Sequence, residues 1–248
     1  MSIDNPEDLT AMRSAGSVVR LMLQAMEQAV RPGITTAELD EAGAAVMRQH
    51  GARSAPSLVY DFPGTSCISV NNEAVHGIPG SRKLVEGDLV KLDVTIEKNG
   101  FMADAAITVA VGKISEENRR LIACAEHAFQ KAMLVARAGF RVSEIGRAIE
   151  REVRRNGFSV IRELAGHGIG RTIHEEPRVP NYADPQASQI LTEGMVITVE
   201  PIIAAGSGRA ITAKDGWAVC TADGKASAHY EQTLMITKGR PELLTAAA

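Results

Sequence analysis

Four acidic residues stand in or beside strand-like segments that are otherwise apolar, and they restrict the fold more than any other feature of the chain. Asp93 lies in Lys91-Leu92-Asp93-Val94-Thr95-Ile96. Asp104 sits between Met102-Ala103 and the apolar run Ala105 to Val111. Glu200 closes Val196-Ile197-Thr198-Val199, and Glu231 opens the segment that leads to Leu234-Met235-Ile236. Side chains alternate between the two faces of a strand, so Leu92, Val94 and Ile96 share one face and Asp93 takes the other. Lys98-Asn99-Gly100 is a turn signal. With an even-numbered hairpin loop, residues 93 and 104 point to the same face, opposite each other or one diagonal apart. Carboxylates held that close repel unless a positive group lies between them. An acid buried in an apolar run needs a partner, and a divalent cation is one.

Gly166-His167-Gly168-Ile169-Gly170 sets a histidine among three glycines, which let backbone pass close to a neighbour. His174 follows in His174-Glu175-Glu176-Pro177, and His76 stands in Ala74-Val75-His76-Gly77-Ile78-Pro79. Single histidines are commonly structural, and His50, His127 and His229 are read that way. Four acids with one glycine-flanked histidine make a ligand set. Their four negative charges match two divalent ions. Carboxylates with one imidazole suit Mn, Fe, Co or Zn and do not resemble the thiolate-rich structural zinc sites. Two ions about 3.5 Å apart are a known hydrolytic arrangement.

The rest of the chain is compatible with such a site. Hydrophobic residues make up 45% and charged residues 23% of 248, as expected for a folded domain. A net charge of −3 gives no basic excess for nucleic acid. No apolar stretch approaches the roughly 18 residues of a membrane helix, and the polar start MSIDNPEDLT is no signal peptide. Cys67, Cys124 and Cys220 form no CxxC pair, so a reducing, cytoplasmic setting is expected.

Periodicity predicts helices from Asp8 to about Val30, from a Thr36 cap to about His50, from Glu116 to about Ala138 and from Glu144 to Arg155. It predicts strands over Cys67 to Val70, Leu89 to Ile96, Ala106 to Val111, Met195 to Ile203, Trp217 to Thr221 and Tyr230 to Ile236. A weak internal repeat runs through this plan. A shift of 106 aligns Arg31 with Arg137, Gly33 with Gly139, Glu38 with Glu144 and Gly51 with Gly157. A shift of 107 aligns Glu86-Gly87 with Glu193-Gly194 and Asp93 with Glu200. One domain of two pseudo-symmetric halves, roughly 1–112 and 113–248, is the expectation, with the site near the pseudo-axis.

Taken in order, Val75-His76-Gly77-Ile78-Pro79, Leu92-Asp93-Val94-Thr95 with Asp104, Gly166-His167-Gly168-Ile169-Gly170, His174-Glu175-Glu176-Pro177, Val199-Glu200-Pro201, Lys214-Asp215-Gly216-Trp217 and Tyr230-Glu231 resemble the type I methionine aminopeptidases. The resemblance covers essentially the whole chain. It implies the α+β pita-bread fold, a pseudo-twofold curved antiparallel sheet with helices packed on its outer face. It implies removal of an N-terminal methionine ahead of a small second residue by a hydroxide that two metal ions activate. Asp93 would bind one ion, Asp104 and Glu231 would bridge the pair, and His167 and Glu200 would complete the other. His76 and His174 would contact the scissile amide and the tetrahedral intermediate, and Glu200 would also shuttle a proton. Cys67 and Trp217 would line the methionine pocket, with Val59, Phe62 and Ile173 beside them.

Two departures bear on selectivity. The stretch Pro56-Ser57-Leu58-Val59-Tyr60-Asp61-Phe62-Pro63 differs from the family's usual loop, and Ile173 replaces its usual Phe. A related dinuclear aminopeptidase with a different or broader preference is the alternative. Peptide or nascent-chain N-termini are the expected partners. Ribosome docking follows only from that substrate class, and a monomer with no membrane partner is expected.

Overall fold

A computed structural model of the chain describes residues 2–3 and 5–246. Helix α1 (Pro6–Ala29) begins where the Asn5 side chain accepts from the Asp8 amide, with Pro6 at its first turn. Helix α2 (Thr36–Gln49) carries a reciprocal capping box between Thr35 and Glu38. The cap is therefore Thr35 and not Thr36, whose hydroxyl donates to the Gly80 carbonyl. A short helix that the sequence reading treated as loop, α3 (Ala55–Tyr60), is capped by Ser54. Helix α4 spans Glu116–Met133 and α5 spans Val142–Arg155. The first of these stops before the expected Ala138 because the Ala138 and Gly139 amides donate across to Thr237 and Leu191 carbonyls.

Strands Leu89–Lys98 and Phe101–Ala110 form an uninterrupted antiparallel ladder from Leu89↔Ala110 to Lys98↔Phe101. Asn99 and Gly100 close it with φ of 54° and 82°, the left-handed pair of a two-residue hairpin turn. The second strand starts at Phe101, five residues before the expected Ala106. Strand Cys67–Val70 pairs on the outer side of the first. The hairpin continues laterally into Glu231–Met235, then Val196–Val199, Ala165–Gly168 and Glu175–Pro180, all antiparallel. The expected strand Met195 to Ile203 is broken at Glu200-Pro201, where proline removes a ladder donor. Ile202–Ala204 then joins a smaller sheet with Ser227–His229.

Leu92, Val94 and Ile96 are fully buried, as alternation predicts, and pack with Val19, Met22 and Met26 of α1. Phe129 of α4 and Ile145 and Ile149 of α5 cover Ile197 and Leu234 in the same way. Both helix pairs thus lie over the sheet and leave its opposite face for polar residues. The halves meet where Ala106 faces Glu231 and Ala105 faces Gln232. On either side of that contact a threonine hydroxyl replaces ladder bonds. Thr233 Oγ1 accepts from the Asp104 amide (2.9 Å) and donates to the Asp104 carbonyl (2.8 Å). Thr108 Oγ1 accepts from the His229 amide (2.8 Å) and donates to the His229 carbonyl (2.8 Å).

Candidate metal centre and substrate pocket

The polar face of the sheet floors a cavity of about 790 Å³. Asp93 faces Ala106 and Asp104 faces Thr95, which makes the two acids diagonal neighbours across the ladder. Both residues line the cavity. Glu231 follows directly on the strand beside Phe101–Ala110. Glu200 projects from the break after Val196–Val199, one step beyond the pair Val199↔Gln232. Asp104, Glu200, Glu231 and His167 are all at most 8% exposed, while Asp93 is partly buried.

His167 arrives by a different device. The ladder between Ala165–Gly168 and Glu175–Pro180 shifts register between Gly166 and Gly168, a bulge with two extra residues on the latter strand, and His167 lines the cavity opposite it. Its glycines are sterically required. A Cβ on Gly166 would stand 2.5 Å from the Thr198 carbonyl oxygen, and one on Gly168 would stand 2.3 Å from that of Glu176. The His167 amide donates to Thr198 Oγ1 (3.1 Å), and that hydroxyl donates to Glu200 Oε1 (3.0 Å). His167 Nδ1 lies 2.9 Å from its neighbour's carbonyl at Gly168. Donation there fixes the tautomer and leaves the Nε2 lone pair, 3.7 Å from Glu200 Oε1, free for a ligand.

Electrostatics bind the group into one unit. Burial, followed by the neighbouring carboxylates, holds Asp104, Glu200 and Glu231 well above the usual carboxylate range. Burial raises Asp93 as well. Burial, then His174, pushes His167 down to about 4, so its imidazole is neutral at pH 7. Asp104 Oδ1 and Glu231 Oε1 are buried without a hydrogen-bond partner. Orphaned acid oxygens beside a neutral imidazole are an unfavourable arrangement in a protein interior, and a divalent cation is the group this donor set fits. Donor atoms of Asp104, His167 and Glu231 lie within 4.8 Å of one another.

One residue read as structural belongs here. His229 is 1% exposed and lines the cavity, and donor atoms of Glu200, His229 and Glu231 also fall within 4.8 Å of one another. The signal was present in the sequence. His229 is two residues from Glu231, and the alternation that turns one inward turns the other inward too. Burial takes its pKa down to about 4.

Around the centre, His76 and His174 line the cavity, and proximity of each to the other or to His229 lowers their pKa after desolvation. His76 has a left-handed backbone, φ 59°. The His174 ring lies 4.3 Å from that of His167, edge to face, and its Nδ1 is 2.5 Å from the Tyr60 hydroxyl. Cys67, Phe62, Ile173 and Trp217 form the apolar wall, with Phe62 edge-on to Trp217 at 5.2 Å. Val59 is a correction. It is 42% exposed and absent from the wall, because one step along α3 turns the side chain away and puts Tyr60 in its place. Tyr60 was missed because α3 was read as loop, although Ser54 ahead of Ala55-Pro56 is a helix-start signal.

Residues 10–238 match metallopeptidase family M24. A methionine aminopeptidase of Clostridium perfringens is 45% identical over 98% of both chains. Methionine aminopeptidase 2 of Bacillus subtilis is 43% identical over 99% of both. The chain belongs to the methionine aminopeptidase family. The crystal structure of the Thermotoga maritima methionine aminopeptidase superposes with a TM-score of 0.96 at 33% identity, covering 100% of both chains. Membership of this family makes the chain a metal-dependent hydrolase of pita-bread fold. The resemblance carried by seven short motifs therefore extends over the whole chain.

Proposed function

We propose that the chain removes the initiator methionine from nascent proteins and peptides whose second residue is small, using two divalent ions. The reading rests above all on the convergence of Asp93, Asp104, Glu200 and Glu231 around orphaned buried oxygens, with neutral His167 beside them. Asp93 would hold one ion, Asp104 and Glu231 both, and His167 and Glu200 the other. When bound, the ions supply Lewis acidity that makes a water nucleophilic near neutral pH and polarises the carbonyl.

The chain's own groups do the remainder. The wall of Cys67, Phe62, Ile173 and Trp217 receives an unbranched thioether, which packs against mixed surfaces. With Tyr60 donating to His174 Nδ1, the His174 proton sits on Nε2 and is donated towards the developing oxyanion. His76, which lines the same cavity, holds the scissile amide. Glu200, oriented by Thr198, accepts the proton from the attacking water and delivers it to the leaving amine.

The chain acts as one catalytic domain with two pseudo-symmetric halves, roughly 1–112 and 113–248. The aligned Gly33 and Gly139 share a φ of 90°, which supports this. We place it in the cytosol as a monomer working on nascent chains, with docking at the ribosome. No helix among the described residues is long and apolar enough to cross a membrane. Elemental analysis after reconstitution with Mn, Fe, Co or Zn, combined with turnover of peptides that vary only in the first residue, tests the reading. It requires about two ions per chain and preference for Met-Ala-Ser; one ion, or equal cleavage of other N-termini, refutes the corresponding part.

A further inference from the structure

The two threonine hydroxyl bridges define a local twofold relation between the central strands. Thr233 binds the backbone of Asp104 and Thr108 binds the backbone of His229, by the same pair of bonds. Ala106 faces Glu231 midway between them. Rotation about that point carries Thr108 onto Thr233, Ala106 onto Glu231 and Asp104 onto His229. On the flanking strands, Asp93 faces Ala106 and Ile202 faces His229, which carries Asp93 onto Glu200. The six positions nearest the axis are thus Asp93 and Glu200, Asp104 and His229, and Ala106 and Glu231. Only Ala106 lacks a metal-donor side chain.

Both ring nitrogens of His229 are buried without a hydrogen-bond partner. Nε2 is nevertheless only 3.2 Å from Glu231 Oε2. The atoms are in contact but not aligned for a hydrogen bond. Donors that share one ion behave this way. At metal–ligand distances of about 2.1 Å, adjacent donors stand roughly 3.0 to 3.4 Å apart with their lone pairs aimed at a third point. Leaving an imidazole unpaired in an interior is costly, and an ion would satisfy Nε2.

We propose that His229 is a sixth protein donor of the metal centre, placing a second imidazole beside Glu231 at the twofold equivalent of Asp104. The proposal rests on the two-ion reading above and extends it. It makes the centre a two-imidazole site, with His167 presented opposite one half's bulge and His229 by the central strand. The chemistry at stake is nitrogen ligation beside Glu231, whose Oε2 is 3.2 Å from His229 Nε2. A harder, all-oxygen site there would favour Mn, whereas an added imidazole favours Fe, Co or Zn.

Proton NMR of the full chain loaded with two equivalents of Co(II) reads this directly, because each ligating imidazole contributes one solvent-exchangeable, strongly shifted N–H signal. Two such signals are expected in the wild type and one in His229→Gln, with X-ray absorption losing half of its imidazole scattering. Calorimetric titration of Co(II) into the His229→Gln protein should show one of the two sites weakened at least about tenfold. A single shifted signal in the wild type, or unchanged scattering and affinities in a folded His229→Gln, overturns the proposal while leaving the two-ion reading intact. Failure of the wild type to bind Co(II) at all overturns both. If His229→Gln does not fold, the wild-type signal count still decides.

Discussion

The hairpin of residues 89–110 and the strands that supply His167, Glu200 and Glu231 build the same site by opposite means. The hairpin is a straight ladder of ten consecutive pairs, and its two acids are placed by register alone. The later strands are short and interrupted. A bulge lies opposite His167, a proline ends the strand before Glu200 can pair onward, and the chain changes sheets at Tyr230 just ahead of Glu231. Alternation is enough to bring two acids together on one face. Collecting donors of different reach around a point requires breaks, and each break relies on a particular local residue.

The largest effect should come from removing a central acid on either side of this contrast. Asp104→Asn and Glu231→Gln should each lower turnover of Met-Ala-Ser by about 10³ or more, equivalent to about 4 kcal/mol, with parallel loss of metal by elemental analysis. A large loss for one and near-normal metal content for the other would show that the two regions do not share one centre. Next comes Gly168→Ala. Its new Cβ would press on the Glu176 carbonyl, and we expect about 2–4 kcal/mol of destabilisation in denaturant titration. Gly100→Ala in the hairpin turn has only backbone strain to overcome and should cost about 1–2 kcal/mol. Equal costs would erase the distinction between a register-built and a bulge-built donor.

The metal-free protein should reveal the clustered acids through pH. Because Asp104, Glu200 and Glu231 titrate above the usual range when folded, the folded state keeps protons that the unfolded state has released above about pH 4. Above about pH 7, where the lowered histidines His167 and His229 are neutral in both states, its stability should therefore fall as pH rises. Added Mn or Co should raise the melting temperature more at the higher pH. A flat or rising profile would show that the carboxyls are not coupled. A smaller change is expected from Tyr60→Phe. Loss of the His174 contact should cost about 1 kcal/mol, roughly fivefold in kcat/KM. Val59→Ala should leave kinetics unchanged.

Much of this was legible in the residues. The faces of Leu92, Val94 and Ile96, the diagonal placement of Asp93 and Asp104 and the close backbone approach at Gly166 and Gly168 follow from alternation and glycine sterics. The strands Ala165–Gly168 and Glu175–Pro180 were not legible, because glycine and proline carry no strand periodicity and only tertiary pairing makes them strands. Tyr60 was hidden by the brevity of α3. His229 was overlooked because each histidine was weighed alone rather than with the acid two positions on.

The reciprocal threonine bridges have a consequence for when the molecule becomes dangerous. Asp93 and Asp104 come together across a two-residue turn, early and cheaply. The contact between residues 106 and 231 closes a very long stretch of chain and is among the last that folding can secure. A half-formed copy therefore holds two of the acids and none of the cutting power. A peptidase divided between distant strands has no assembled centre until both halves are in place.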